Sequence, residues 1–220
     1  MKYNALIFDM DGTLVHNMPI HNQAWQDTLA EAGVQIDKDD FNRATTGKKT
    51  TEILRLMLGP QLSDSETAYW GKRKETLYRE RFADCREPLP GLLGLLDQAH
   101  SLGLPMAVAS AAPPENISFI LDELNLRRHF ETVIGAHNIQ NGKPDPEIFL
   151  KAAQTLGVEP AQCLVFEDAL TGIEAARRAG MDAIMICTTI EAHEVAGQAH
   201  VLQAVPDFTH INLPALLGQG

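Results

Sequence analysis

Five short runs, apolar or nearly so, each stopping at a polar or small residue, constrain this chain more than any other feature. Ala5-Leu6-Ile7-Phe8 stops at Asp9, and Met106-Ala107-Val108-Ala109 stops at Ser110. Thr132-Val133-Ile134 stops at Gly135, Leu164-Val165-Phe166 at Glu167-Asp168, and Ala183-Ile184-Met185-Ile186 at Cys187. Runs of this length without polar alternation fit strands buried on both faces, as in a parallel sheet. Helical stripes separate them. Leu92, Leu95, Leu96, Ala99 and Leu102 recur at helical spacing before Gly103, and Ile117, Ile120, Leu121 and Leu124 do the same. Asp145-Pro146-Glu147 reads as a cap, a first-turn proline and an acid; the helix it opens carries Phe149, Ala152, Ala153 and Leu156 and stops at Gly157. Leu170, Ile173 and Ala176 form a last stripe before Gly180. Strand, helix, strand, repeated, predicts an α/β fold: a doubly wound parallel sheet with helices on both faces.

Residues 15–85 break that rhythm. The pattern there predicts helices only, over 20–32, near Phe41, over 50–58 and over 63–82. Pro88 and Pro90-Gly91 mark the return. Charge separates the same segment, which holds ten of the 18 basic residues but only eleven of the 29 acidic ones. The expected organisation is a core domain of residues 1–14 and 86–220 with a helical cap domain, 15–85, inserted after the first strand. In the tail, Val205-Pro206-Asp207-Phe208 reads as an edge strand and 213–217 as a closing helix.

A net charge of −11 argues against nucleic acid and against anionic membrane surfaces, which need a broad basic face. No run of 18 apolar residues exists to span a bilayer. The first eight residues enter a strand pattern instead of a signal-peptide layout. Three widely spaced cysteines, Cys85, Cys163 and Cys187, suit reduced thiols in a cytoplasmic protein. A monomer is the default expectation.

Ligands of open parallel sheets bind at the carboxyl ends of the strands. The sequence puts Asp9 and Asp11, Ser110, and Glu167 with Asp168 at those ends, and Lys143 shortly before a helix start. Carboxylates gathered there repel one another by roughly 1–4 kcal/mol per close pair, so something positive must offset them. Hard oxygen donors with room for water are what Mg²⁺ prefers. In Asp9-Met10-Asp11-Gly12-Thr13, one carboxylate can attack phosphorus in line while the other passes a proton to the leaving oxygen and later takes one from water. Lys143 and Ser110 can supply the positioning and charge that phosphoryl transfer needs.

These motifs resemble the haloacid dehalogenase superfamily in four places. Phe8-Asp9-Met10-Asp11-Gly12-Thr13-Leu14 looks like its first motif and Ser110 like its second. Gly142-Lys143-Pro144-Asp145-Pro146 looks like the third, and Glu167-Asp168-Ala169 with Gly172-Ile173 like the fourth. A helical insertion after motif one resembles the first-type cap of the β-phosphoglucomutase and phosphatase-like branch. The resemblance implies a Rossmann-like core in which Asp9 forms an aspartyl-phosphate and Asp11 is the general acid/base. It implies Mg²⁺ held by Asp9, the backbone carbonyl of Asp11 and Asp168, with Glu167 assisting, and the phosphoryl group held by Ser110 and Lys143. In the cap it points to His21, to Gly47 and Lys48 or Lys49 in Thr46-Gly47-Lys48-Lys49, and to Lys74 as residues facing the substrate.

The expected activity is Mg²⁺-dependent hydrolysis of a small phosphorylated metabolite such as a sugar phosphate. A β-phosphoglucomutase-like isomerase is the alternative. It is weakened by Thr46 and Thr50, which stand where the mutase carries two cations for a second phosphate. Asp11 argues against dehalogenation, which does not need it. A non-catalytic phospho-acceptor, like a receiver domain, would lack the cap and the proton-transferring second aspartate, and against an inactive metabolite-binding relative every catalytic position here is filled by a competent residue. Six other histidines, His100, His129, His137, His193, His200 and His210, show no metal-ligand spacing and read as surface or loop residues, and Trp25 and Trp70 read as cap packing.

Overall fold

The first strand, β1 (Ala5–Phe8), lies in the interior of a six-stranded, all-parallel sheet. The others are β2 (Met106–Ala109), β3 (Thr132–Ile134), β4 (Cys163–Glu167), β5 (Asp182–Ile186) and β6 (Val201–Val205), in the order β3-β2-β1-β4-β5-β6. This computed structural model describes residues 2–45 and 48–218. Pairing runs Leu6 to Met106 on one side of β1 and Leu6 to Leu164 on the other. The chain reverses its direction of travel across the sheet at β1, which opens a crevice at that strand's carboxyl end.

Alternation along β1 sends Leu6 and Phe8 to one face and Ala5 and Ile7 to the other, and both faces are buried. That double burial is why the runs are uniformly apolar. Phe8 stacks on Phe166 at 4.5 Å, and Phe130 and Phe208 close around the pair. The second face packs under α7 (Glu147–Leu156) and α8 (Leu170–Arg178), through Ile148, Phe149, Ala152 and Ile173. The first lies under α5 (Leu92–Ser101), α6 (Pro114–Leu121) and α9 (Leu213–Leu216).

Between β1 and α5 the chain forms α1 (Met18–Glu31), α2 (Lys38–Thr45), α3 (Thr50–Leu58) and α4 (Asp64–Phe82). These helices share an apolar cluster of their own: Trp25, Leu29, Phe41, Ile53 and Leu54. Ser63 starts α4 with a capping box: its hydroxyl accepts from the Glu66 N–H, and the Glu66 carboxylate accepts from the Ser63 N–H. The chain leaves and re-enters the sheet layer side by side, with Val15 bridged to Pro88 and the Leu89 N–H donating to the Leu14 carbonyl.

Two expectations need correction. The edge strand ends at Val205 instead of beginning there, because Pro206 has no N–H for a ladder and Phe208 turns into the core against Phe8 and Phe166. His129 is buried, not superficial: the short turn Arg127–His129 tucks it towards Asp97. The cysteines are free. Among the described residues no helix is long and apolar enough to cross a membrane.

Candidate active site

Asp9 leaves the end of β1 and Glu167 ends β4, the strand paired with it. Lys143 enters from the loop before α7, with only 4% of its surface exposed. Its ammonium donates to Asp9 Oδ1 and to Glu167 Oε1, both at 2.6 Å, and lies 3.4 Å from the Ala109 carbonyl at the end of β2. Burial pushes Asp9 up, the Lys143 charge pulls it down, and Glu167 and Asp11 push it up again, leaving it at about 8. Asp168 is likewise held well above the usual carboxylate range by burial and by its neighbours Glu167 and Asp9. Lys143 is raised: its own burial lowers it, but Asp9 and Glu167 outweigh that. One oxygen each from Asp9, Glu167 and Asp168 lies within 4.8 Å of the others. Such a compact set of hard donors, with one ammonium among them, fits a small divalent cation.

Two glycines make room for this cluster. At Gly12 the backbone is left-handed, φ +86°, and a Cβ there would stand 2.0 Å from Asp168 Oδ2. At Gly172, on the first turns of α8, a Cβ would stand 1.8 Å from Glu167 Oε1. The Ala169 N–H donates to Glu167 Oε2 at 2.7 Å, and the Thr189 hydroxyl donates to Asp168.

The carboxylate of Asp11 turns away from that cluster. Asn17 Nδ2 donates to Asp11 Oδ1 at 2.6 Å, and His21 Nε2 lies 3.3 Å from the same oxygen. Burial alone would raise Asp11, yet His21, Asn17 and Lys74 together hold it below its ordinary value. Asn17 is fully buried: it also donates to the Tyr78 hydroxyl and accepts from the Gly12 N–H. His21 stacks on Tyr78 with ring centres 3.7 Å apart, and its Nδ1 is 2.8 Å from the Lys74 ammonium. An ammonium can only donate, so Nδ1 accepts and Nε2 keeps its proton for Asp11.

The pocket brings together Asp9, Asp11, Ser110, Lys143, Glu167, Asp168, His21, Lys48 and Lys74. Ser110 is buried, and its hydroxyl accepts from the Ala112 N–H at 3.2 Å. The metal-binding reading took Asp11 by its backbone carbonyl, and its side chain is not among the three carboxylates of the acidic cluster. Lys74 lines the pocket with its charge already committed to Glu75 at 3.1 Å and to His21. The two adjacent lysines separate: Lys48 lines the pocket, while the Lys49 ammonium donates to the Gln140 carbonyl, at 2.9 Å, and to that of Ile139. Gly47 lies outside the described residues. Trp25 packs on Phe41 with ring centres 5.8 Å apart. Sequence reasoning passed over Asn17, Glu75, Tyr78, Asn116 and Thr189. Only Asn17 had a local signal, its short separation from Asp11.

A parallel sheet with four carboxylates and a buried lysine at its carboxyl edge, under a helical insertion, defines an α/β enzyme with a covered acidic site. The chain belongs to the haloacid dehalogenase-like hydrolases, whose family model matches residues 3–180. It is 38% identical over 183 residues to fructose-1-phosphate phosphatase YqaB of Escherichia coli, a match covering 83% of this chain and 96% of that protein. It is 30% identical over 180 residues to a phosphorylated carbohydrates phosphatase of Thermotoga maritima, covering 82% of this chain and 83% of that one. Among solved structures, a β-phosphoglucomutase of Clostridium difficile superposes with a TM-score of 0.86 at 26% identity, over 99% of this chain and 96% of that one.

Proposed function

We propose that this protein is a Mg²⁺-dependent phosphatase of small phosphorylated metabolites, sugar phosphates foremost, working through phosphorylation of Asp9. One observation carries the reading: two aspartates on one loop stand in opposite settings. Asp9 sits against Lys143 and within the reach of one cation shared with Glu167 and Asp168, whereas Asp11 is held aside by Asn17 and His21. The relatives named for sugar-phosphate hydrolysis support it.

Asp9, Glu167 and Asp168, with the Asp11 carbonyl, would hold Mg²⁺, which when bound neutralises charge on the transferring phosphoryl oxygens. Lys143 and Ser110 orient that group so that an Asp9 oxygen meets phosphorus in line with the leaving oxygen. Asp11 donates a proton to the leaving oxygen, and this requires the arriving dianion to raise its proton affinity above that of the free site. With the alcohol gone, Asp11 takes a proton from water as the water attacks phosphorus of the Asp9 acyl phosphate, breaking the Asp9 O–P bond and releasing orthophosphate and the free carboxylate. Residues 15–85 act as the cap that excludes bulk water, with hinges at 15–16 and 85–88.

An isomerase needs a second phosphate site. Thr50, where the mutase carries a cation for that site, donates its hydroxyl to Glu75 at 2.8 Å, which favours hydrolysis. A panel of phosphate esters with Mg²⁺, scored for orthophosphate release and for positional transfer, tests the reading. Release from sugar phosphates is expected; dominant conversion of β-glucose 1-phosphate into glucose 6-phosphate would overturn it.

A further inference from the structure

One buried core side chain, Asn116 on α6, is held at both ends of its amide by α4 of the helical insertion. Its Nδ2 donates to Glu75 Oε2 at 2.7 Å, and its Oδ1 accepts from Arg79 Nη1 at 2.7 Å. Glu75 and Arg79 stand four residues apart, so one face of α4 presents an acceptor and a donor side by side. A carboxylate can only accept and a guanidinium can only donate, which fixes the orientation of the amide. Glu75 is itself fully engaged, with Oε1 accepting from the Thr50 hydroxyl at 2.8 Å and both oxygens 3.1 Å from the Lys74 ammonium.

The contacts continue inward. Lys74 meets His21, and His21 meets Asp11. An unbroken series of polar side chains thus runs from α6 in the core, through the insertion, and back to the core at Asp11. Asn116 is 1% exposed, Lys74 3%, Glu75 6% and His21 8%. The Lys74 ammonium has two sets of acceptors within reach, Glu75 on one side and His21 on the other. Fixing Glu75 therefore fixes where that charge sits beside His21.

We propose that Asn116, Glu75 and Arg79 form a clasp that holds the insertion shut on the core and, through Lys74 and His21, sets the position of Asp11. They are positioning residues for proton transfer. That last part rests on the function proposed above; the clasp itself does not.

Hydrogen exchange and steady-state kinetics on the full chain test both parts. With Asn116→Leu, which removes both hydrogen bonds at similar volume, amides of α1 and α4 should exchange about tenfold faster while those of β1 and β4 stay protected. Unchanged exchange in α4 would overturn the clasp. With Mg²⁺, kcat of this variant on fructose 1-phosphate should fall about tenfold further than on p-nitrophenyl phosphate, whose leaving phenolate needs little help from a proton. An equal fall on the two esters would overturn the link to Asp11. Pairing Asn116→Asp with Glu75→Gln keeps the net charge and rebuilds the contact with its polarity reversed, since the new amide donates and the new carboxylate still accepts from Arg79. This pair should recover most of the loss, whereas Asn116→Asp alone, two carboxylates face to face, should not. Equal behaviour of the single and paired variants would count against the clasp. Were the wild type to release phosphate from no ester at all, the proposed function would fall while the exchange result still decided the clasp.

Discussion

Lys143 Nζ lies 2.6 Å from Asp9 Oδ1, and the same ammonium lies 2.6 Å from Glu167 Oε1, so one buried cation joins the ends of two neighbouring strands. Burying charges is costly, and removing one partner leaves the others unpaired. Lys143→Met should therefore lower stability in Mg²⁺-free buffer by about 3–5 kcal/mol, read by urea denaturation. Added Mg²⁺ should recover part of that loss, because the acidic cluster would regain a counter-charge. An unchanged midpoint without Mg²⁺ would contradict the pairing.

Asp9→Asn keeps the shape of the side chain and removes the attacking charge. Orthophosphate release should drop below about one-thousandth of wild type, as for loss of a covalent nucleophile, with the circular dichroism spectrum unchanged. Retention of a few percent of activity would argue against a phosphorylated Asp9.

Glycine substitutions should separate by what surrounds them. Gly172→Ala drives a methyl into Glu167 and should weaken Mg²⁺ binding, measured by calorimetry, together with thermal stability. Gly94→Ala lies in α5 with nothing within 4 Å of the new methyl. That variant should gain about 0.5–1 kcal/mol from helix propensity and reduced chain entropy. Equal effects at the two positions would show that Glu167 does not occupy the space beside Gly172.

Glu75 sets a pH dependence. Burial pushes it up, but Lys74, then His21, Asn116 and Thr50 bring it below its ordinary value of 4.5. A carboxylate depressed in the folded state contributes stability above its unfolded pKa and loses it as pH falls through the folded one. The stability advantage of wild type over Glu75→Gln should thus be full near neutral pH and shrink as pH falls below about 4.5. Denaturation at pH 7 and at pH 3.5 measures it; a constant difference would contradict the assignment.

Much of the core was legible because parallel strands buried on both faces must be apolar throughout, so β1, β2 and β4 stand out as runs. The polar residue ending each run falls on the ligand-binding edge, which is how Asp9, Ser110, Glu167 and Asp168 could be picked out. The edge strand β6 was misplaced because its residues are only half-buried and carry no such signature. In the insertion, amphipathic stripes reveal helices but not how they face one another. Lys48 and Lys49 are adjacent and chemically alike, yet one lines the pocket and the other ties down the loop at Gln140.

The order of apolar runs and the chemistry of the residues that end them belong to the sequence alone, since local burial and charge write themselves into composition at fixed spacing. The approach of His21 to Asp11, the contact of Lys74 with His21, and the grip of Asn116 on α4 were decided by tertiary structure. Those contacts join residues between 10 and 53 positions apart, and some bridge the insertion and the core. Nothing in the local pattern of either partner specifies the other; the packing of the helices brings them together.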